Sequence, residues 1–319
     1  MKENTMTELT STPIKILVAI DGSDEAMRGL SYASKLGLDV RANIDLLFVR
    51  PIDQGLNSGG LQVRLVRESM LDAGLDLPGV TSLKKGRDLL VEIGHMSREW
   101  DESFTHNDTE GDPLGNHSIH YKSSRGRKIE LILRASSGTV SGILDLQEER
   151  KHDLIIVGAS GKRRAMTKFL GISNIALKVA VHAPCSVIIA RELEIGKGHL
   201  VCLDKSQAAL DALKKDAALA NNCQCPISLI SVAREESDLE QAKKNIENGL
   251  ELLDNMGIDA QQTFTPIGDP VAEIVETGKD FSLIALADSS STGVQRYFMG
   301  GVAFNVLEHA KNSVMIIRR

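Results

Sequence analysis

Aromatic side chains are scarce in this sequence: only 3% of its 319 residues are Phe, Trp or Tyr, with a single Trp. Its core must therefore be aliphatic, drawn from a 42% hydrophobic fraction. Cysteine is scarcer still, with four in the chain, too few for a disulfide framework at this length. Cys185 and Cys202 sit at or within apolar runs, and Cys223 and Cys225 form a CxC. All four read as small semi-buried residues, since no further zinc ligand stands at a fitting spacing. Net positive charge is absent; the formal value is −6, which argues against nucleic acid and anionic membrane as partners. No apolar run approaches the ~20 residues that cross a bilayer. The opening MKENTMTELTSTP lacks the apolar centre of a signal peptide, so the expected location is the cytoplasm.

What the sequence does contain is repetition. ILVAIDGSDEAMRGL (16–30) aligns with HLVCLDKSQAALDAL (199–213) at an offset of 183. LIIVG from Leu154 aligns with LIALA from Leu283 at 129, and HAPCSVIIAR from His182 with HAKNSVMIIR from His309 at 127. Recurrence in the same order means duplication. The fall from 183 to 129 places 54 extra residues in the first copy, within about 51–128. The expected domains are a flexible tail at 1–12, a first domain at 13–192 carrying that insertion, and a second at 198–319.

Each copy alternates short apolar runs with helical patterns. IKILVAI, IDLLFV, IELIL, LIIV and VIIA are near-continuous, as in parallel strands covered on both faces. Ser23 is the expected N-cap of the first helix, with Asp24 and Glu25 in its first turn, Ala26, Leu30 and Ala33 on one face, and Gly37 as its stop. Ser206 is the matching cap in the second copy. Strand–helix alternation predicts an α/β fold of two doubly wound parallel sheets with right-handed crossovers. Within the insertion, Leu89, Ile93, Met96 and Trp100 share a face and predict a helix near 83–100, and Val63, Val66 and Met70 suggest another. The polar stretch 101–128 predicts an irregular mobile loop. His117 and His120, near His106, could bind metal only if that stretch were helical, so no metal site is assigned.

Ligands of such sheets bind beyond the carboxyl ends of the strands, at the switch in topology. Asp21, inside AIDGS, ends the first strand; its carboxylate can meet a ribose hydroxyl or a metal ion, or serve the turn and helix start. GASGKRRAMTKFLGISN (158–174) follows the fourth strand. Gly158, Gly161 and Gly171 would let backbone N–H groups approach phosphates, beside Lys162, Arg163 and Arg164 and ahead of a helix N-terminus.

AIDGS, the GxxG-x9-G element and HAPCSVIIAR together resemble the universal stress protein family, over about two-thirds of the chain. The resemblance implies two Rossmann-like, adenine nucleotide α-hydrolase-like domains, each with a five-stranded parallel sheet. It implies a pseudo-dimer paired through the last strands, the strand through which many family members dimerise, and it admits a homodimer. It also implies ATP or another adenine nucleotide as cofactor, with or without Mg, and an unidentified protein partner. Carried over, Asp21 would contact the adenosine or a metal and the backbone of Val49 would lie near the adenine. Gly158, Gly161 and Gly171 would wrap ribose and phosphates, with Lys162, Ser173 and Asn174 beside them. Ile172 stands where the family has Ser or Thr, and a second register puts Ser173-Asn174 there instead. The second copy departs further, with Ala287, Ser290, Gly300 and Gly301 at the motif positions. The expected function is a stress-response regulator binding nucleotide mainly in its first copy. The alternative is a nucleotide-free interaction scaffold. No P-loop, HxGH signature or nucleophile–base pair marks an enzyme; no catalytic residue is assigned, and at most weak ATP hydrolysis is expected.

Overall fold

The computed structural model describes residues 13–36, 42–52, 78–109, 112–159, 174–191, 196–288 and 301–318. The first repeat runs β1 (Lys15–Ala19), α1 (Asp24–Leu36), β2 (Asn43–Pro51), α2 (Pro78–Glu92), β3 (Asp101–Thr109), β4 (Asp112–Lys122), β5 (Lys128–Ser136), α3 (Thr139–Arg150), β6 (Leu154–Gly158), α4 (Asn174–His182) and β7 (Ser186–Ala190). The second runs β8 (His199–Cys202), α5 (Gln207–Asn222), β9 (Ile227–Ile230), α6 (Leu239–Asn255), β10 (Ala260–Phe264), α7 (Pro270–Gly278), β11 (Leu283–Ala287), α8 (Val302–His309) and β12 (Ser313–Ile317).

All twelve strands join one sheet, in the order β10-β9-β8-β11-β12-β7-β6-β1-β2-β5-β4-β3. Each repeat thus contributes five parallel strands in the order third, second, first, fourth, fifth. Alternate residues of a strand feed opposite core layers. Ile16 and Val18 pack under α1, α2, α5 and α6 with Leu30, Leu83, Leu213 and Leu253. Leu17 and Ile155 pack under α3, α4, α7 and α8 with Ile143, Val179, Ile274 and Leu307. This two-sided burial is why the strands read as unbroken apolar runs.

The last strands meet as the resemblance implies. β7 and β12 pair antiparallel, with Val187 opposite Ile316, Ile188 opposite Met315 and Ile189 opposite Val314. All six side chains are fully buried, and each contributes about 1.5–3 kcal/mol by leaving water. Both strand edges are consumed within the chain, so neither is left to pair with a second copy.

The insertion departs from expectation. Residues 101–128 are not an irregular loop: β3 and β4 form an antiparallel hairpin whose second strand pairs with β5. Only β4 carries inward apolar side chains, Ile119 and Tyr121, and β3 reads DESFTHNDT. An edge strand needs no hydrophobic face of its own, and its charges discourage pairing with other chains. The helix expected near 83–100 is shorter and earlier, ending at Glu92, because Gly94 takes a left-handed φ of 75°. The tail, Gly37 and the second helix expected around Val63–Met70 lie outside the described residues.

Candidate functional site

The crossovers change direction between β1 and β6 in one repeat and between β8 and β11 in the other. The carboxyl ends of these strands border a crevice in each. In the first repeat Asp21 follows β1, and its Oδ1 accepts from the Ser23 amide at 2.9 Å and the Ser23 hydroxyl at 2.6 Å. Ser23 Oγ in turn accepts from Ala26 N at 3.2 Å, capping α1. Across the crevice Gly158 closes β6. A Cβ there would stand 3.2 Å from Ala26 N and 3.3 Å from Glu25 Cβ and Ser23 Oγ. The missing side chain lets β6 close on the first turn of α1, and Asp21, Ser23 and Gly158 form one cluster at a part-buried helix N-terminus.

Val49 lies in β2 one strand beyond. Its methyls face α3, 2.8 and 3.0 Å from where a Cβ on Gly142 would be. Its neighbour Arg50 is buried and donates to Gly115 O of β4 at 2.8 Å. Asn174 begins α4. Gly161, Lys162, Gly171 and Ser173 lie outside the described residues.

The second repeat repeats this turn and adds a cavity of about 290 Å³, lined by Asp204, Val232, Arg234, Ala287 and Gly301 among others. Asp204 Oδ1 accepts from Ser206 N at 2.8 Å, and Ser206 Oγ accepts from Ala209 N at 3.2 Å. Asp204 and Ala287 occupy the positions of Asp21 and Gly158. Gly301 caps α8 with no side-chain hydrogen bond, so that N-terminus opens on the cavity near the Arg234 cation. No local pattern announces Arg234, which follows β9 outside the glycine motif. Cys202 also lines the cavity, but burial, reinforced by Asp204, pushes its thiol far above the ordinary range.

Two further groupings escaped sequence reasoning. Arg150 bridges Asp45 at 2.8 Å and Glu130 at 2.7 Å, His152 Nε2 lies 3.0 Å from Asp45, and His120 Nδ1 lies 3.1 Å from Glu130. These residues line a cavity of about 560 Å³ with Lys15 and Lys122. They come from separate segments, so no local pattern announces them. His117 instead meets His106, Nδ1 to Nδ1 at 3.4 Å; a spacing of three on β4 sends His117 and His120 to opposite faces.

Among the described residues, one group of three His, Cys, Asp or Glu side chains brings its ligand atoms within 4.8 Å of one another: His199, Cys223 and Cys225. The two sulfurs are joined as a disulfide. This corrects the reading of the CxC as two unconnected small residues without a third ligand. Gln224 between them takes a left-handed φ of 54°, which brings alternate side chains to one side. His199 stands 24 residues earlier than Cys223, too far for a spacing rule to find.

The family model described as "Universal stress protein family" matches residues 14–191 and 199–318. No curated protein sequence matches. A putative universal stress protein from Pseudomonas aeruginosa UCBPP-PA14 superposes with a TM-score of 0.60 at 12% identity, covering 96% of this chain and 94% of its own. A universal stress protein from Archaeoglobus fulgidus DSM 4304 gives 0.55 at 18% identity, covering 96% of both chains. An Archaeoglobus fulgidus universal stress protein in complex with dAMP covers 39% of this chain and all of its own, with a TM-score of 0.33 at 20% identity.

Proposed function

The chain belongs to the universal stress protein family, and from that premise we propose that it is a stress-response regulator that binds an adenine nucleotide, ATP or a relative, mainly in its first repeat. The observation that carries this reading is the cluster of Asp21, Ser23 and Gly158 at the switch point, against the N-terminus of α1. A carboxylate for the ribose or a Mg ion stands beside a backbone that a nucleotide can approach closely. In this reading the Val49 backbone lies near the adenine, since its side chain is turned to α3. Gly161 and Gly171 extend the approach along ribose and phosphates. Lys162, Ser173 and Asn174 supply charge and polar contact. The cavity at the matching place in the second repeat supports a ligand-sized crevice at this point of the fold.

Mass spectrometry of small molecules released from denatured, purified protein tests the class of ligand. Calorimetry on Gly161→Val tests the place: a bulky side chain there should abolish ATP binding, and unchanged affinity would remove the first-repeat assignment.

A second reading, a nucleotide-free interaction scaffold, rests on Asp21 itself. Its Oδ1 is taken up by Ser23, and Asp204 does the same with Ser206, as a purely structural helix start requires. Purified protein that carries no nucleotide and shows no heat with ATP supports this reading instead.

A further inference from the structure

His199, Cys223 and Cys225 lie apart from both nucleotide crevices, at the amino end of β8 and the turn between α5 and β9. β8 and β9 are parallel neighbours with His199 opposite Ile227, so the CxC, two residues before β9, is delivered beside His199. His199 is fully buried and both cysteines are half-buried. The imidazole is oriented from one side by Asp216, also fully buried, whose carboxylate oxygens lie 2.9 and 3.0 Å from Nδ1. With Nδ1–H donating to the carboxylate, Nε2 is the basic nitrogen, and it takes a hydrogen bond from the Tyr32 hydroxyl of α1. A carboxylate that fixes the tautomer and raises the basicity of an imidazole is the usual support of a metal-ligating histidine.

We propose that the reduced Cys223–Cys225 pair and His199 form a site for a thiophilic d10 cation, Zn2+, with Asp216 as the positioning residue behind the imidazole. Two thiolates and one imidazole are the donor set that such a cation selects over hard divalent ions. The fourth position falls to water. The disulfide and the metal are mutually exclusive. Reduction by an external dithiol or phosphine delivers two electrons and, with two protons, yields two thiols. Zn2+ then displaces those two protons as both sulfurs bind as thiolates. Because Nε2 leaves Tyr32 for the metal, loading would also release a contact between the two repeats.

The test uses the full chain, reduced with a phosphine, with thiol titration confirming four free cysteines. Co2+ serves as the spectroscopic probe and Zn2+ as its competitor. One equivalent of Co2+ should give sulfur-to-cobalt charge-transfer absorption and four-coordinate d–d bands, bleached by one equivalent of Zn2+. Cys223→Ser and Cys225→Ser, both at half-buried turn positions, should each remove that spectrum. Asp216→Asn should weaken affinity about 10–100-fold without changing the ligand set. Should Asp216→Asn fail to fold, the two serine variants decide the matter alone. A fully reduced wild-type chain with no thiolate–cobalt band would overturn the proposal. So would a band that survives in Cys223→Ser and Cys225→Ser, because Cys185 or Cys202 would then be its source.

Discussion

Arg191 and Arg318, the residues that follow the last strand of each repeat, cap helices in one another's repeat. Arg191 Nη2 donates to Leu307 O in the last turn of α8 at 2.5 Å, and Nη1 to Asn312 O at 3.3 Å. Arg318 Nη2 donates to Ala180 O at 2.5 Å in the last turn of α4, and Nη1 to Ala183 O beyond it. The exchange follows the pseudo-twofold of the antiparallel β7–β12 seam, as an isologous interface demands. It also gives a physical reason for the paired endings VIIAR and MIIRR: a cation satisfies the orphan carbonyls of a helix C-terminus.

Removing either guanidinium should therefore weaken the seam between repeats. Arg191 is buried, which pulls its pKa down to about 10, so it already resides at some cost. Its loss leaves two buried carbonyls without that donor. Arg191→Ala should lower unfolding free energy by about 1.5–3 kcal/mol, the range for hydrogen bonds to a charged group. Arg318 also pairs with Asp288 at 2.8 Å, so Arg318→Ala should cost at least as much. Urea titration followed by circular dichroism reads both. A change under about 0.5 kcal/mol, the size of an ordinary surface substitution, would deny the caps a role.

Gly158 and Ala287 make a natural comparison, since they are equivalent and only one bears a Cβ. The tightest neighbours of a Cβ on Gly158 are 3.2–3.3 Å away, so α1 must yield by a few tenths of an ångström. Gly158→Ala should fold with a loss near 1 kcal/mol. Gly158→Val should lose about 1–3 kcal/mol, because its branched methyls meet the first turn of α1. If the first-repeat site is correct, both should weaken ATP more than they weaken the fold, read by calorimetry beside thermal denaturation. Equal binding by wild type and Gly158→Val would separate this glycine from the ligand.

These contrasts show what was legible from sequence. IKILVAI and VIIA declared themselves as central strands because both faces of each are buried, and Ser23 and Ser206 declared caps because the chemistry is local. The offset between repeats located the insertion, yet its hairpin stayed hidden. β3 is an edge strand, and Ile119 and Tyr121 are too few to establish a period of two. The site was legible only where one segment carries it. Asp21 and Gly158 stand in recognisable turns, whereas the Asp45–Glu130–Arg150 network and the His199–Cys223–Cys225 group are assembled by strand adjacency from residues far apart in the chain.

The hairpin should act as an edge guard for β5. In the second repeat the equivalent strand, β10, is the end strand of the sheet among the described residues, and its Gln261 and Gln262 are exposed. β5 reads KIELILRAS, with Ile129, Leu131, Ile132 and Leu133 buried; uncovered, it would present an apolar template to another chain. Replacing residues 101–122 with a short turn should therefore drive self-association, visible by light scattering at micromolar concentration. A truncated chain that remains at the scattering mass of the full-length protein would make the hairpin dispensable to the fold.

Acid should expose a second weak point, at His95. The residue follows α2 and is only 1% exposed. Burial, aided by the positive charge of Arg127, pulls its pKa from 6.5 down to about 4, against a backbone hydrogen bond at Ser34 that works the other way. Between these values the unfolded chain binds a proton that the folded chain refuses. Stability from this group is thus complete above pH 6.5 and falls as the pH drops toward 4, by about 3 kcal/mol at most. Carboxylates titrate across part of the same window, so the comparison must be with His95→Gln, which fills similar space and does not titrate there. The wild-type protein should lose stability faster than His95→Gln between pH 6.5 and 4.5, and the two curves should run parallel above pH 7. Measured by urea midpoints at half-unit steps, curves parallel throughout would mean that His95 is protonated as readily in the folded chain as in the unfolded one.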